Sequence, residues 1–138
     1  MTNLKTFTST NGFYSLEYPD TFKMSYQDNL LQVYAPDNNS SITISSYHFD
    51  DSVDDIRFEQ MFQIFSKEYT PVADKFEISS NIWIQRFSKN DDDYIWTLCM
   101  NRNDKVLLLI SINFLEEESD EIIDAYQEIL HSIKNHGA

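Results

Sequence analysis

The amino-acid sequence predicts an α+β fold: an antiparallel β-sheet flanked by helices, in the order β-β-β-β-α-(β)-β-β-β-α. Three observations predict it. Between Asn81 and Leu115 three runs of alternating side chains follow one another with only short polar turns between them, which is the period of strands joined as hairpins. Phe58, Met61, Phe62, Phe65 and Tyr69 recur at helical spacing, and a second apolar stripe at that spacing closes the chain. Turns this short fit antiparallel pairing, because a parallel pair needs a crossover of about a dozen residues.

The elements follow in order. Tyr14, Leu16 and Tyr18 alternate on one side of a first strand, and Phe22, Met24 and Tyr26 repeat the period after Pro19-Asp20. Asp28-Asn29 suits a two-residue hairpin, since both residue types tolerate positive φ. Leu31, Val33 and Ala35 continue beyond it, Pro36-Asp37-Asn38-Asn39 makes another turn, and Ser41 to Phe49 is rich in β-branched and aromatic residues. The N-terminal half therefore reads as a four-strand meander. Ser52, with Asp55 three residues on, has the spacing of a capping box, and Thr70-Pro71 ends the helix that follows. A short strand is expected near Phe76, then strands over about 82–88, 94–101 and 105–114 that pair in sequence. Val106, Leu108, Ile110, Ile112 and Phe114 share one face while Leu107 and Leu109 occupy the other, so this last strand should be central and covered on both sides. Ser119 is placed to cap the final helix, whose stripe is Ile122, Tyr126, Ile129, Leu130 and Ile133, and Gly137 suits a helix stop.

The chain has 138 residues, a length that suits one domain over 1–138, with 41% hydrophobic and 14% aromatic residues to fill a core. Its two glycines, Gly12 and Gly137, stand in no phosphate-cradling pattern, so glycine-rich nucleotide loops are excluded. A single cysteine, Cys99, rules out an intramolecular disulfide and agrees with a reducing compartment. The N-terminus carries no apolar run of signal-peptide length and no stretch approaches a membrane span. With Met1 as natural start, the expected location is the cytoplasm. Ten basic residues against 23 acidic ones leave a formal charge of −13, which repels nucleic acid and anionic membranes.

Phe13-Tyr14-Ser15-Leu16-Glu17-Tyr18-Pro19, with Phe22 after it, a meander, a middle helix, further strands and a terminal helix resembles the PsbP-like superfamily. That superfamily includes an extrinsic photosystem II protein, a nuclear-import factor that binds the small GTPase Ran, and bacterial proteins of unassigned function. The resemblance implies an α/β/α sandwich whose relatives act by binding other macromolecules, and it carries over no catalytic residue.

The acids are grouped: Asp50, Asp51, Asp54 and Asp55; then Asp91, Asp92 and Asp93; then Glu116, Glu117, Glu118, Asp120 and Glu121. Each group falls at an element boundary, where carboxylates are solvated, cap helices and complement their dipoles. Beyond that role, Asp50, Asp51, Asp54 and Asp55 are the candidate contact for a basic protein partner. The Asp91-Asp92-Asp93 turn lacks the staggered ligands and closing Glu of an EF-hand and reads as a solvated hairpin loop. His131 and His136, about 140° apart on a helix, make a poor metal pair, and Cys99 has no histidine near it in sequence to populate a thiolate. No catalytic, cofactor or metal residue is assigned. Trp83 and Trp96, on neighbouring strands, are expected to stack on a covered face. The reading is a non-catalytic protein-binding module, an adaptor, complex subunit or immunity-type inhibitor, with oligomeric state open. The alternative is a small hydrolase or small-ligand-binding protein with a pocket between sheet and helix.

Overall fold

A computed structural model describes residues 3–37, 39–89 and 92–138. In chain order the elements are β1 (Leu4–Thr8), β2 (Tyr14–Pro19), β3 (Lys23–Gln27), β4 (Leu30–Tyr34), β5 (Ser41–His48), α1 (Asp55–Ser66), β6 (Thr70–Pro71), β7 (Phe76–Ser79), β8 (Ile82–Ser88), β9 (Tyr94–Asn103), β10 (Val106–Leu115), α2 (Asp120–Ser132) and β11 (Lys134–Asn135). The main sheet has the order β3-β4-β5-β10-β9-β8-β6, with β7 also paired to β8, and a small sheet has the order β1-β2-β11. Every pairing is antiparallel.

The strand β10 is central, as its two apolar faces predict. Ile110 sits opposite Ile44 of β5 on one side and Cys99 of β9 on the other. Its even-numbered residues join Leu16, Leu31, Ile42, Tyr126 and Ile129 in a core beneath α2 and the small sheet. Its Leu107 packs instead with Phe58, Phe62, Trp83, Phe87, Leu98 and Met100 beneath α1. One strand thus supplies both layers of an α/β/α sandwich, and each layer removes large apolar side chains from water. The turn residues behave as their chemistry requires: Asp28 and Asn29 have φ of 54° and 67° and join Gln27 to Leu30 directly across the hairpin.

Four expectations are corrected. The first predicted strand does not extend the meander, because β2 leaves the main sheet and pairs with β1 and β11, neither of which has an apolar alternation long enough to be read. The cap of α1 is Asp54, whose carboxylate accepts the Arg57 N–H at 2.8 Å; Ser52 instead donates to Asp104. The helix α2 stops at Ser132, before β11, and Gly137 lies beyond it with φ +74° against Asn103, where an added Cβ would come within 3.2 Å of the Asn103 amide. Trp83 and Trp96 share a face but do not meet: Trp83 is opposite Met100 and contacts Phe58 and Phe62, while Trp96 is opposite Phe87 and contacts Tyr69 and Tyr94. Of the turn at Pro36-Asp37-Asn38-Asn39, Asn38 lies outside the described residues.

Arg102 ties the start of α1 to the β7–β8 turn. Its side chain donates to the Val53 carbonyl (2.9 Å), the Ser80 carbonyl (2.9 Å), Asn81 Oδ1 (3.1 Å) and Asp55 (2.5 Å), and its guanidinium lies 4.5 Å from the centre of the Phe58 ring. It is 9% exposed. Burying a cation is tolerated only where its donors are met, and these contacts meet them.

Candidate functional site

Two loops and a helix make the main concavity. The β2–β3 corner brings Pro19, Thr21 and Phe22 beside α2, and Leu4 of β1 and Pro36 complete that wall. Between them and the helix runs a groove of about 490 Å³, lined on the helix side by Glu121, Ile122, Asp124, Ala125 and Glu128. A smaller hollow of about 90 Å³ continues it past Glu128 to Glu17, Ile129 and Ser132. The floor is apolar because Ile122 and Ala125 border the buried stripe of α2, and the rim is acidic because residues at i, i+3 and i+7 project from one flank of a helix.

Glu17, Glu121, Asp124 and Glu128 are all exposed. Among the described residues the one ion pair within 4.0 Å is Arg102–Asp55, so these four carboxylates meet no cation among the described residues. At the N-terminal end of α2, Ser119 caps the helix by accepting the Ile122 N–H at 3.3 Å. Beside it the Glu118 carboxyl is raised above the usual carboxylate range, first by burial and then by its hydrogen bond and charge repulsion with Asp37. Behind the groove the Phe22 ring packs edge-on against Tyr126, 5.5 Å between centres, and the Tyr126 hydroxyl accepts the Ala35 N–H at 2.9 Å and meets Ser40 Oγ at 2.9 Å. Burial pushes that phenol up to about 12, so it stays a neutral strut.

The Glu118 shift carries a pH prediction. A carboxyl raised on folding favours the protonated folded state, so its contribution is fully present below its unfolded value and is lost as pH rises through the raised folded value. Glu118→Gln keeps the neutral form throughout. The gain in Tm of that variant over the wild type should therefore grow from pH 4 to pH 7 in thermal melts; a gain that is constant or shrinks would show that Glu118 is not strained by Asp37.

The sequence-predicted candidates lie elsewhere. Asp50 and Asp51 are exposed beyond β5, Asp54 caps α1, and Asp55 holds Arg102 while its own side chain stays 92% exposed. They form a second acidic region, at the start of α1 rather than along α2. Asp91 of the acidic turn lies outside the described residues. Asp92 is engaged by Tyr94 N–H at 3.1 Å and by the Trp96 indole N–H. Cys99 is buried and its thiol is pushed up to about 12 by desolvation, which leaves no thiolate at neutral pH. His48 is no base for it, since the register puts His48 two strands away and four residues along. His136 bonds Ser15 Oγ at 2.8 Å and His131 stays on the helix. Among the described residues no group of three His, Cys, Asp or Glu side chains comes together in a way that could hold a metal ion. No helix among them is long and apolar enough to cross a membrane.

No protein-family description matches the sequence, and no curated protein sequence matches it. Solved structures do match. The cyanobacterial PsbP of Synechocystis superimposes with a TM-score of 0.65 at 9% identity, over 99% of this chain and 94% of that one. The Ran-binding protein Mog1p of Saccharomyces cerevisiae does so with a TM-score of 0.67 at 10% identity, over 99% and 97%. This chain has the PsbP-like fold. A Bacteroides thetaiotaomicron protein shares it with a TM-score of 0.68 and 14% identity over 96% of this chain, which spans only 48% of that longer one. At such identities the PsbP-like likeness is one of fold, and the site must be argued from the residues of this chain.

The groove along α2 was missed at the sequence level, although Glu121 belongs to the third acidic group. Its signal is present in retrospect. Glu121, Asp124 and Glu128 border the apolar stripe on one flank of the helix, but the opposite wall comes from β1 and the β2–β3 corner, about a hundred residues earlier.

Proposed function

We propose that this PsbP-like protein is a non-catalytic binding module that docks a basic segment of another protein in the groove along α2. The observation that carries the reading is an apolar lining of Leu4, Phe22, Ile122 and Ala125 beside four carboxylates that meet no cation among the described residues. The floor supplies buried apolar area, and the rim supplies orientation and encounter rate. Asp50, Asp51, Asp54 and Asp55 add to the negative field that draws a cationic partner toward the molecule. The structural likeness to a Ran-binding protein supports a protein partner over a small substrate. A net charge of −13 argues against nucleic acid or an anionic membrane, and the single buried thiol suits the cytoplasm.

The test is affinity capture from a host extract on immobilised wild-type protein and on the variant with Glu121, Asp124 and Glu128 changed to lysine. A basic protein held at low salt, released as ionic strength rises and absent from the reversed variant is the expected result. Capture that the reversal leaves unchanged would remove the groove from the account.

A further inference from the structure

The other flank of α2 borders a second concavity of different chemistry. Two hollows of about 70 and 190 Å³ lie between the helix and the sheet at β8, and a third of about 200 Å³ adjoins the first at Ile84, Arg86 and Thr97 and opens toward Ala73, Asp74 and Phe76. Ile78, Ile82, Ile84, Leu130 and Ile133 give it apolar walls. Phe76 and Ile78, at its outer lip, are 64% and 49% exposed, a large apolar display for a strand of four residues. In a chain of 23 acidic residues only Asp74 lines any of the three hollows, whereas Arg86 lines two of them. Among the described residues Arg86 has no carboxylate within 4.0 Å.

The strand beside this concavity has a free edge. Among the described residues β7 pairs only with β8, so its outer N–H and C=O groups have no strand partner. Phe76 sits opposite Ile84, one step along the same face from Arg86, which places the edge, the apolar lip and the cation within a few residues of one another. We propose that this face takes an extended peptide segment of a partner protein, apolar and carrying one carboxylate side chain, added as a strand along β7 with its apolar side chains over Phe76 and Ile78 and its carboxylate at Arg86. Added strands gain affinity from the main-chain edge and selectivity from pockets for alternate side chains. A second copy of this chain fits poorly. Each copy carries −13, and like charges on both partners oppose the close approach that a shared sheet edge requires.

The test uses NMR titration of the full chain with an octapeptide of alternating valine and threonine containing one glutamate. A lysine counterpart and a form N-methylated at alternate amides serve as controls. Expected are shifts at the amides of residues 76–79 and the methyls of Ile82 and Ile84, with the glutamate peptide about fivefold tighter than the lysine one. Arg86→Gln should erase that preference without unfolding the protein, since Arg86 is exposed, and N-methylation should abolish binding. Shifts confined elsewhere, equal binding of the N-methylated form, or displacement of the peptide by decanoate at the same methyls would each overturn the proposal. Reversal of Glu121, Asp124 and Glu128 should leave this binding intact, so its failure and that of the acidic groove are read separately.

Discussion

Changing Glu121, Asp124 and Glu128 together to lysine is expected to weaken binding of a basic amphipathic peptide on the order of a hundredfold. Each exposed ion pair is worth up to about fivefold in affinity, and three removed from one flank combine. Most of the loss at low salt should fall on the association rate, because the three carboxylates face water and act at a distance before contact. The reversal leaves the fold intact: none of the three is buried and none holds a partner among the described ion pairs. Surface plasmon resonance of wild type and variant at two ionic strengths reads both parts. A tenfold or smaller loss that is the same at high and low salt would mean that the apolar floor alone carries the contact.

Arg102→Ala should be the most destabilising single change among the polar residues, by about 3–5 kcal/mol, because each acceptor left without its donor costs about 1–3 kcal/mol. Four acceptors lose their donor at once, and three of them, the Val53 and Ser80 carbonyls and Asn81, lie in the segment before α1 and in the β7–β8 turn that Arg102 joins. The expected fall in Tm is roughly 10–20 °C. Asp55→Asn, at the other end of the same ion pair, should cost no more than about 1 kcal/mol, because its side chain is 92% exposed and water replaces the lost partner. Denaturant melts of the two variants make the comparison. Equal losses would mean that the ion pair, and not the carbonyl contacts, is what Arg102 provides.

Legibility in the sequence followed the range of the interactions. The hairpins β3–β4, β8–β9 and β9–β10 and the two-faced β10 were visible because alternation and turn chemistry lie within a few residues of each other. Ser119 was recognisable as a cap because its acceptor role is satisfied three residues on. Ser52 misled for the same reason: Asp54 offered the same chemistry two residues later, and only the position of Asp104 in space drew Ser52 away. The small sheet escaped because β1 meets β2 across a turn with no strict alternation, and β11 contributes two residues from the far end of the chain. The groove depends on that small sheet. Its acidic flank is written in α2, yet nothing local says that Leu4, Pro19 and Phe22 will stand opposite.

The most direct test of the central claim is an NMR titration of the labelled protein with an amphipathic peptide of leucine and lysine. The expected result is shifts clustered on Leu4, Glu17, Phe22 and residues 121–128, fading as salt is raised. Shifts centred instead on residues 50–55, or a map in the groove that is indifferent to salt, would contradict it.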